Sequence, residues 1–286
     1  MAVVNTNVGA LVAQASLAKN DRNLNAAMTQ LSTGTKINSA ADNASGLAIS
    51  ARMTSQIRGL DAAVSNANDA ISMVSTAEGA LNEITNMLQR MRELAVQAGT
   101  GTTDSADRVY INSEFKELRS EIDRIVDNTE YNGRKILNAA AGGSAGVSTV
   151  AFQVGMDPKQ TISTTFGNFM DTSGKLSGMA SKTLSTVTVA SAINQASSVV
   201  TELDVVIADV SAQRATFGAV TNRLTHAIDN LTNVKTSAEA SRSRILDTDY
   251  AAATSELART QIIQQAATAM LAQANALPQT ILALLK

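Results

Sequence analysis

The chain contains no cysteine, no tryptophan, two prolines and a single histidine in 286 residues. The absence of cysteine excludes disulfides, thiolate metal sites and cysteine nucleophiles, and one histidine cannot build a centre that needs a pair. With so little proline, long helices can run without interruption. Aromatic residues make up only 3% of the chain and the net charge is −2, so the chain has little to stack on nucleic-acid bases and no excess positive charge to attract phosphates. We therefore expect no nucleic-acid partner.

The sequence also shows no segment typical of membrane insertion or of Sec-dependent export. The N-terminal stretch MAVVNTNVGALVAQ has no basic start and no long apolar run, which argues against a cleaved Sec signal peptide. The most apolar stretch, residues 266–285, is interrupted by Gln273, Asn275 and Pro278, so it does not read as a membrane span. The sequence predicts a protein that works without a membrane.

Apolar residues spaced alternately three and four apart recur along most of the chain, as in helices that pack along a seam. They predict long helices at about 44–98, 104–128 and 190–240. Alternation of period two predicts a small β-hairpin at about 148–167, and the polar, glycine-bearing segment 171–190 is predicted to be an exposed loop. The expected fold is mainly α: a long antiparallel coiled-coil or helical-bundle rod with a small β-hairpin region.

Both ends of the chain carry more apolar surface than one helix pairing can cover. An isolated helix of this kind would fray or aggregate, so we expect its second face to meet other subunits. The candidate polymerisation residues on these terminal stripes are Val4, Val8, Leu11, Leu24, Leu31, Ile263, Met270, Leu271, Leu277, Ile281 and Leu285.

The sequence offers little that could carry catalytic chemistry. His226 lies between the stripe residues Leu224 and Ile228, which on a helix points it away from them and favours a solvated surface histidine. The chain has no glycine-rich phosphate loop, nucleophile elbow or zinc signature. We expect no enzymatic activity, no cofactor and no metal.

A charged cluster of Arg90, Arg92 and Glu93 lies near the end of the first long helix. On spacing alone, this cluster fits a solvated helix face as well as it fits a binding patch.

Four motifs carry a resemblance to a known family. LSTGTKINSAADNASGLAI at 31–49 closely resembles the N-terminal signature of bacterial flagellins, and QRMRELAVQ at 89–97, NGRKIL at 132–137 and SRSRILDTDY at 241–250 also look like flagellin motifs. The motifs occur in order, at both ends of the chain and at the right separations. The chain resembles a short flagellin without large outer domains.

The resemblance implies a structural subunit that self-assembles into the flagellar filament for swimming motility, outside the cell. Residues 1–43 and 246–286 would pair as the terminal domain that forms the inner tube, and 44–245 would be the core domain of the outer tube. The implied partners are other copies of the chain, an export chaperone with the export apparatus, and the cap and junction proteins. The ends would order on assembly.

The resemblance also implies recognition of the monomer by vertebrate Toll-like receptor 5. The matching segment of recognised flagellins forms the primary receptor contact, which carries over here to Gln89, Arg90 and Leu94, with Glu114 on the next helix as a flanking polar contact. An arginine beside an apolar anchor is a typical binding hot spot.

Two alternatives remain at the level of sequence. A hook–filament junction (hook-associated) protein would share flagellin-like ends, but the intact 89–97 motif and both termini favour a flagellin. A secreted coiled-coil effector would need a membrane-inserting or host-binding segment, and no apolar span offers the first.

Overall fold

A computed structural model describes residues 6–138, 148–170, 175–179, 182–184 and 189–284. Within these ranges the chain is mainly α-helical, with two small antiparallel strand pairs and one short 3₁₀ turn. The elements are α1 (Val8–Thr33), α2 (Ala44–Ala98), α3 (Ser105–Asn128), β1 (Glu130–Tyr131), β2 (Arg134–Lys135), β3 (Ser148–Gln153), β4 (Thr161–Phe166), α4 (Val189–Leu246) and α5 (Tyr250–Leu284).

The chain divides into two compact units. We call Met1–Ile57 together with Thr236–Lys286 the terminal unit, and Arg58–Lys235 the central unit. The long helices α2 and α4 each contribute residues to both.

The central unit has an apolar core that α2, α3, α4 and the β3–β4 hairpin share. The spacing of three and four brings one face of each helix to this core. The hairpin pairs Phe152 with Ile162 and buries Phe166, whose ring lies 5.2 Å from that of Phe217 on α4. Fully buried side chains from the three helices include Leu81, Ile84, Leu88, Met91, Phe115, Ile122, Leu203 and Val210.

The segment 171–190 differs from its prediction as an exposed loop. Its described residues include Leu176 and Leu184, which are 0% and 2% exposed and belong to the core of the central unit. The backbone N–H of Leu184 donates to the side-chain oxygen of Asn112 on α3. Two isolated leucines among polar residues give no periodic signal, which is why the sequence pattern missed these anchors.

The terminal unit contains an antiparallel pair formed by α1 and α5. Helix α1 begins at the Asn7 cap, whose side chain accepts from the N–H of Ala10, and ends at Gly34, which has a φ of +70° that favours glycine. Beyond the helix ends, Thr35 and Asp247 form an antiparallel bridge. Helix α4 runs to Leu246, past the predicted end near 240, and Arg242 on its last turns donates to the hydroxyl of Thr54.

Candidate functional site

The face of α1 that packs on α5 follows the spacing of three and four along both helices. Among the described side chains, the cap residue Asn7 donates to the carbonyl oxygen of Ala274 at 2.7 Å, Asn20 donates to that of Thr260 at 2.8 Å, and Gln264 donates to the carboxylate of Asp21 at 3.2 Å. The paired face is therefore partly polar.

The opposite faces of both helices expose several apolar side chains, alongside charged residues such as Lys19 and Arg259. On α1, Val8 and Leu11 are 58% and 57% exposed, and on α5, Ile262 and Met270 are 66% and 64% exposed. We call these faces the terminal patch, which also includes Val12 and Ile263. Apolar surface concentrated in this way marks an interaction site.

The structure divides the predicted polymerisation residues between two faces. Val8, Leu11, Ile263 and Met270 are exposed on the terminal patch. Leu24, Leu31 and Leu271 are half-buried, on the α1 and α5 faces that pair with each other. Leu277 and Ile281 lie on α5 beyond the described side chains, and Val4 and Leu285 lie outside the described residues.

Sequence reasoning missed Val12 and Met28, which are exposed apolar residues on α1. Val12 follows Val8 by four residues, so the helical repeat already placed it on the same face. Met28 follows Leu24 by four residues and precedes Leu31 by three, so the same repeat placed it beside that stripe.

A second surface, which we call the α2–α3 patch, consists of Gln89, Arg90, Glu93 and Glu114. The guanidinium of Arg90 donates through Nε to Glu114 at 2.9 Å and through Nη1 to Glu93 at 3.1 Å. The side chains of Arg90 and Glu114 remain 50% and 46% exposed. The hydrogen bond to Glu114, followed by that to Glu93, raises the pKa of Arg90. The patch presents an oriented guanidinium to solvent.

Leu94 does not belong to that surface. Its side chain is 2% exposed and packs in the core of the central unit, so it offers a partner no accessible contact. The reason is the helical period: Leu94 follows the core residues Met91 and Leu88 by three and six positions. Of the four residues predicted as receptor contacts, Gln89, Arg90 and Glu114 are exposed and Leu94 is not.

The side chains of the predicted cluster, Arg90, Arg92 and Glu93, belong to two different sites. Arg92 turns to α4, where its guanidinium donates through Nε and Nη2 to the two carboxylate oxygens of Asp204 at 2.6 and 3.4 Å. This bidentate contact raises the pKa of Arg92 and lowers that of Asp204. Arg92 therefore links helices of the central unit, while Arg90 lies on the α2–α3 patch.

No helix among the described residues combines the length and apolar character needed to cross a membrane.

A helix pair that leaves apolar side chains exposed on its outer faces is typical of a protein that associates with other chains. Residues 4–141 match the bacterial flagellin N-terminal helical region, and residues 187–285 match the bacterial flagellin C-terminal helical region. The chain belongs to the bacterial flagellin family.

Two relatives and one solved structure show the extent of the likeness. A flagellin of Halalkalibacterium halodurans is 41% identical over 284 residues, which cover 99% of this chain and 100% of the relative. Flagellin A of Vibrio cholerae is 34% identical over an alignment of 376 residues that covers 99% of each chain. A solved Vibrio parahaemolyticus structure assigned to a flagellar hook-associated protein has a TM-score of 0.60 at 13% identity, and the match covers 72% of this chain and 100% of that chain. At this identity the match supports a shared fold and nothing more.

These matches establish a structural subunit of the bacterial flagellar filament, which polymerises with copies of itself outside the cell. The alignment with the Vibrio cholerae relative is longer than the 286 residues of this chain, so the relative carries sequence that has no counterpart here. The chain is a short form of flagellin.

Proposed function

We propose that the terminal patch is the surface through which each subunit contacts its neighbours in the inner tube of the filament, with 1–43 and 246–286 as the inner-tube segments. One observation supports this most directly: Val8, Leu11, Ile262 and Met270 are each more than half exposed although the opposite faces of their helices are paired. The occupant is a second copy of this chain, since flagellins polymerise with themselves.

Removal of residues 1–32 and 254–286 together is expected to abolish polymerisation and leave a soluble helical protein. The central unit keeps its own apolar core, so its helices do not depend on the deleted segments. Seeded growth, followed by electron microscopy, measures the first effect, and circular dichroism measures the second. The full-length chain with the same seeds is the control, and filaments of flagellar diameter from the truncated chain would contradict the proposal.

We further propose that the monomer is recognised by Toll-like receptor 5 through the α2–α3 patch. Support comes from the exposed Arg90 guanidinium, which Glu114 and Glu93 hold in one orientation. A preoriented arginine loses less conformational entropy on binding, which suits it to a hot spot. Leu94 packs in the core of the central unit beneath this patch, and in this proposal it does not contact the receptor.

Before assembly, we propose that a cytoplasmic export chaperone covers the C-terminal part of α5 and delivers the chain to the export apparatus without a cleaved Sec signal. Ile262 and Met270 expose a strongly apolar face there, which would aggregate if it stayed uncovered. The cap protein would then guide the subunit onto the growing end, and junction proteins would present matching terminal helices at the base of the filament.

Deletion of residues 262–285 is expected to remove binding to a flagellin export chaperone. Calorimetric titration of the chaperone with the full-length and deleted chains measures the effect. The control is a chain that lacks residues 8–31, a deletion of the same length. It should bind the chaperone as the full-length chain does. Equal heats from the full-length chain and the chain without 262–285 would exclude α5 as the chaperone site.

A further inference from the structure

Methionine is the only sulfur-containing residue type in the chain, which has ten methionines and no cysteine. Where thiolates are present, two-electron oxidants such as hydrogen peroxide attack them. In a chain without cysteine and without tryptophan, the thioether of methionine is the group that such an oxidant finds. The positions of the methionines therefore decide what an oxidant does to this protein.

Exposure divides the described methionine side chains into three groups. Two are buried in the core of the central unit, at 4% and 0% exposed: Met73 and Met91. Three are half-buried: Met53, Met87 and Met170. Three are exposed: Met28 at 53%, Met156 at 45% and Met270 at 64%. Peroxide dissolved in water reaches the exposed group most readily in the folded monomer.

Met270 is the single methionine of α5 and lies on the terminal patch. Ile263 precedes it by seven residues and Ala266 by four, so both share its side of the helix. These neighbours offer an oxidant no reactive atom. Met270 is therefore the position at which chemistry can change the polarity of this part of the terminal patch.

The reaction with hydrogen peroxide is a two-electron oxidation of the thioether. The sulfur attacks one peroxide oxygen, the O–O bond breaks and an S–O bond forms. The second oxygen leaves as water with both peroxide protons, so the sulfur is oxidised and the peroxide is reduced. The product, methionine sulfoxide, is polar, and methionine sulfoxide reductases convert it back to methionine.

A sulfoxide at Met270 has opposite consequences in the monomer and in the filament. In the monomer the side chain is mostly exposed, so water solvates the S–O group and the fold is undisturbed. The filament step rests on the proposed function, in which a neighbouring subunit covers the terminal patch. The sulfoxide oxygen would then be buried among apolar side chains without a hydrogen-bond donor, which is unfavourable.

We propose that Met270 is a reversible oxidation site that controls assembly. Its sulfoxide leaves the chain folded but excludes it from the filament, and reduction of the sulfoxide restores polymerisation. Once a subunit is in the filament, its neighbours cover Met270, so the assembled chain resists the oxidant that disables the monomer.

Three full-length chains test the site, each carrying Met28→Leu so that the other exposed methionine of the terminal helices does not contribute. One has no further change, one adds Met270→Leu, and one adds Met156→Leu. The last chain is the matched control, because Met156 is an exposed methionine in the hairpin turn of the central unit. Monomers are treated with hydrogen peroxide, and peptide mass spectrometry identifies a dose at which Met73 and Met91 stay unmodified.

Seeded growth then gives the critical concentration of each chain before and after oxidation. We expect oxidation to raise it by about tenfold or more in the chain with no further change and in the Met156→Leu chain. The Met270→Leu chain should keep the critical concentration that it had before oxidation. Circular dichroism of the oxidised monomers should stay unchanged in all three.

Two further measurements test reversal and protection. Methionine sulfoxide reductases for both epimers, with dithiothreitol as reductant, should restore growth; two thiols become a disulfide and the sulfoxide oxygen leaves as water. Met270→Gln, a polar side chain of similar length without sulfur, should raise the critical concentration without peroxide and should not respond to the reductases. Intact filaments given the same peroxide dose should lose the modification of Met270 that the monomer shows.

Three results would overturn the proposal: Met270 that stays unmodified in the monomer, Met270 sulfoxide that polymerises at the original critical concentration, or an equal loss of growth in the Met270→Leu chain. Failure of the proposed function looks different, because Met270→Asp would then polymerise normally as well. If Met270→Asp stops growth and the sulfoxide does not, the terminal patch remains an assembly surface and only the oxidation site is excluded.

Discussion

Met270→Asp is expected to stop filament growth while leaving the melting temperature of the central unit unchanged. Met270 is 64% exposed on the terminal patch, where the proposed function places an apolar contact with another subunit. An unpaired carboxylate buried in such a contact costs about 3–5 kcal/mol, so the critical concentration for polymerisation should rise by more than about 100-fold. Light scattering after seeding, across a range of protein concentrations, measures the critical concentration.

Two substitutions separate this effect from general damage to α5. Met270→Leu keeps the contact apolar and should polymerise at close to the original critical concentration. Leu271→Asp changes the neighbouring residue, which is half-buried on the face of α5 that packs on α1, and should weaken the helix pair itself. Filaments of Met270→Asp at the unsubstituted critical concentration would show that this part of the terminal patch is not an assembly contact.

The helical fold could be predicted because its signal is periodic and local. Runs with a spacing of three and four predict helices wherever glycine and proline do not interrupt them, and α2 ends at Ala98 directly before the glycine-bearing segment 99–104. The hairpin could be predicted from alternation, because Phe152 and Ile162 each occupy one face of a two-stranded sheet.

The assignment of faces could not be predicted in the same way. Periodicity shows that α5 has apolar residues around much of its circumference, but it does not say which of them meets α1. The hydrogen bonds that Asn20 and Gln264 make between the two helices span a sequence separation of more than 200 residues. No local pattern contains that information.

The residues predicted to contact a receptor show a second limit of sequence-based prediction. The motif at 89–97 identified a surface by resemblance, but a motif does not separate the residues that form a surface from those that support it. Leu94 is conspicuous in the motif and belongs to the core, because it continues the spacing of Leu88 and Met91. The burial of a helix position depends on its tertiary partners as well as on its place in a motif.

Arg90→Ala is expected to weaken binding of the monomer to Toll-like receptor 5 by about 5- to 150-fold, the range typical of hot-spot truncations. The change removes the guanidinium that Glu114 and Glu93 orient on the α2–α3 patch. Arg92→Ala is the matched control: it removes the same type of side chain two residues away, where Arg92 contacts Asp204 on α4. Surface plasmon resonance with the receptor ectodomain measures both affinities.

The same proposal predicts that the filament is silent towards the receptor, since packing between subunits would cover the α2–α3 patch. Equal masses of monomer and of stabilised filament, titrated on receptor-reporter cells, should show activity in the monomer arm alone. Arg90→Ala monomer should shift the dose–response curve to higher concentration, and Arg92→Ala monomer should follow the unsubstituted curve. If Arg90→Ala and Arg92→Ala lower receptor binding to the same extent, the loss comes from the helix bundle of the central unit and Arg90 has no specific role. If the unsubstituted monomer is inactive on the reporter cells, the receptor is not a partner of this chain.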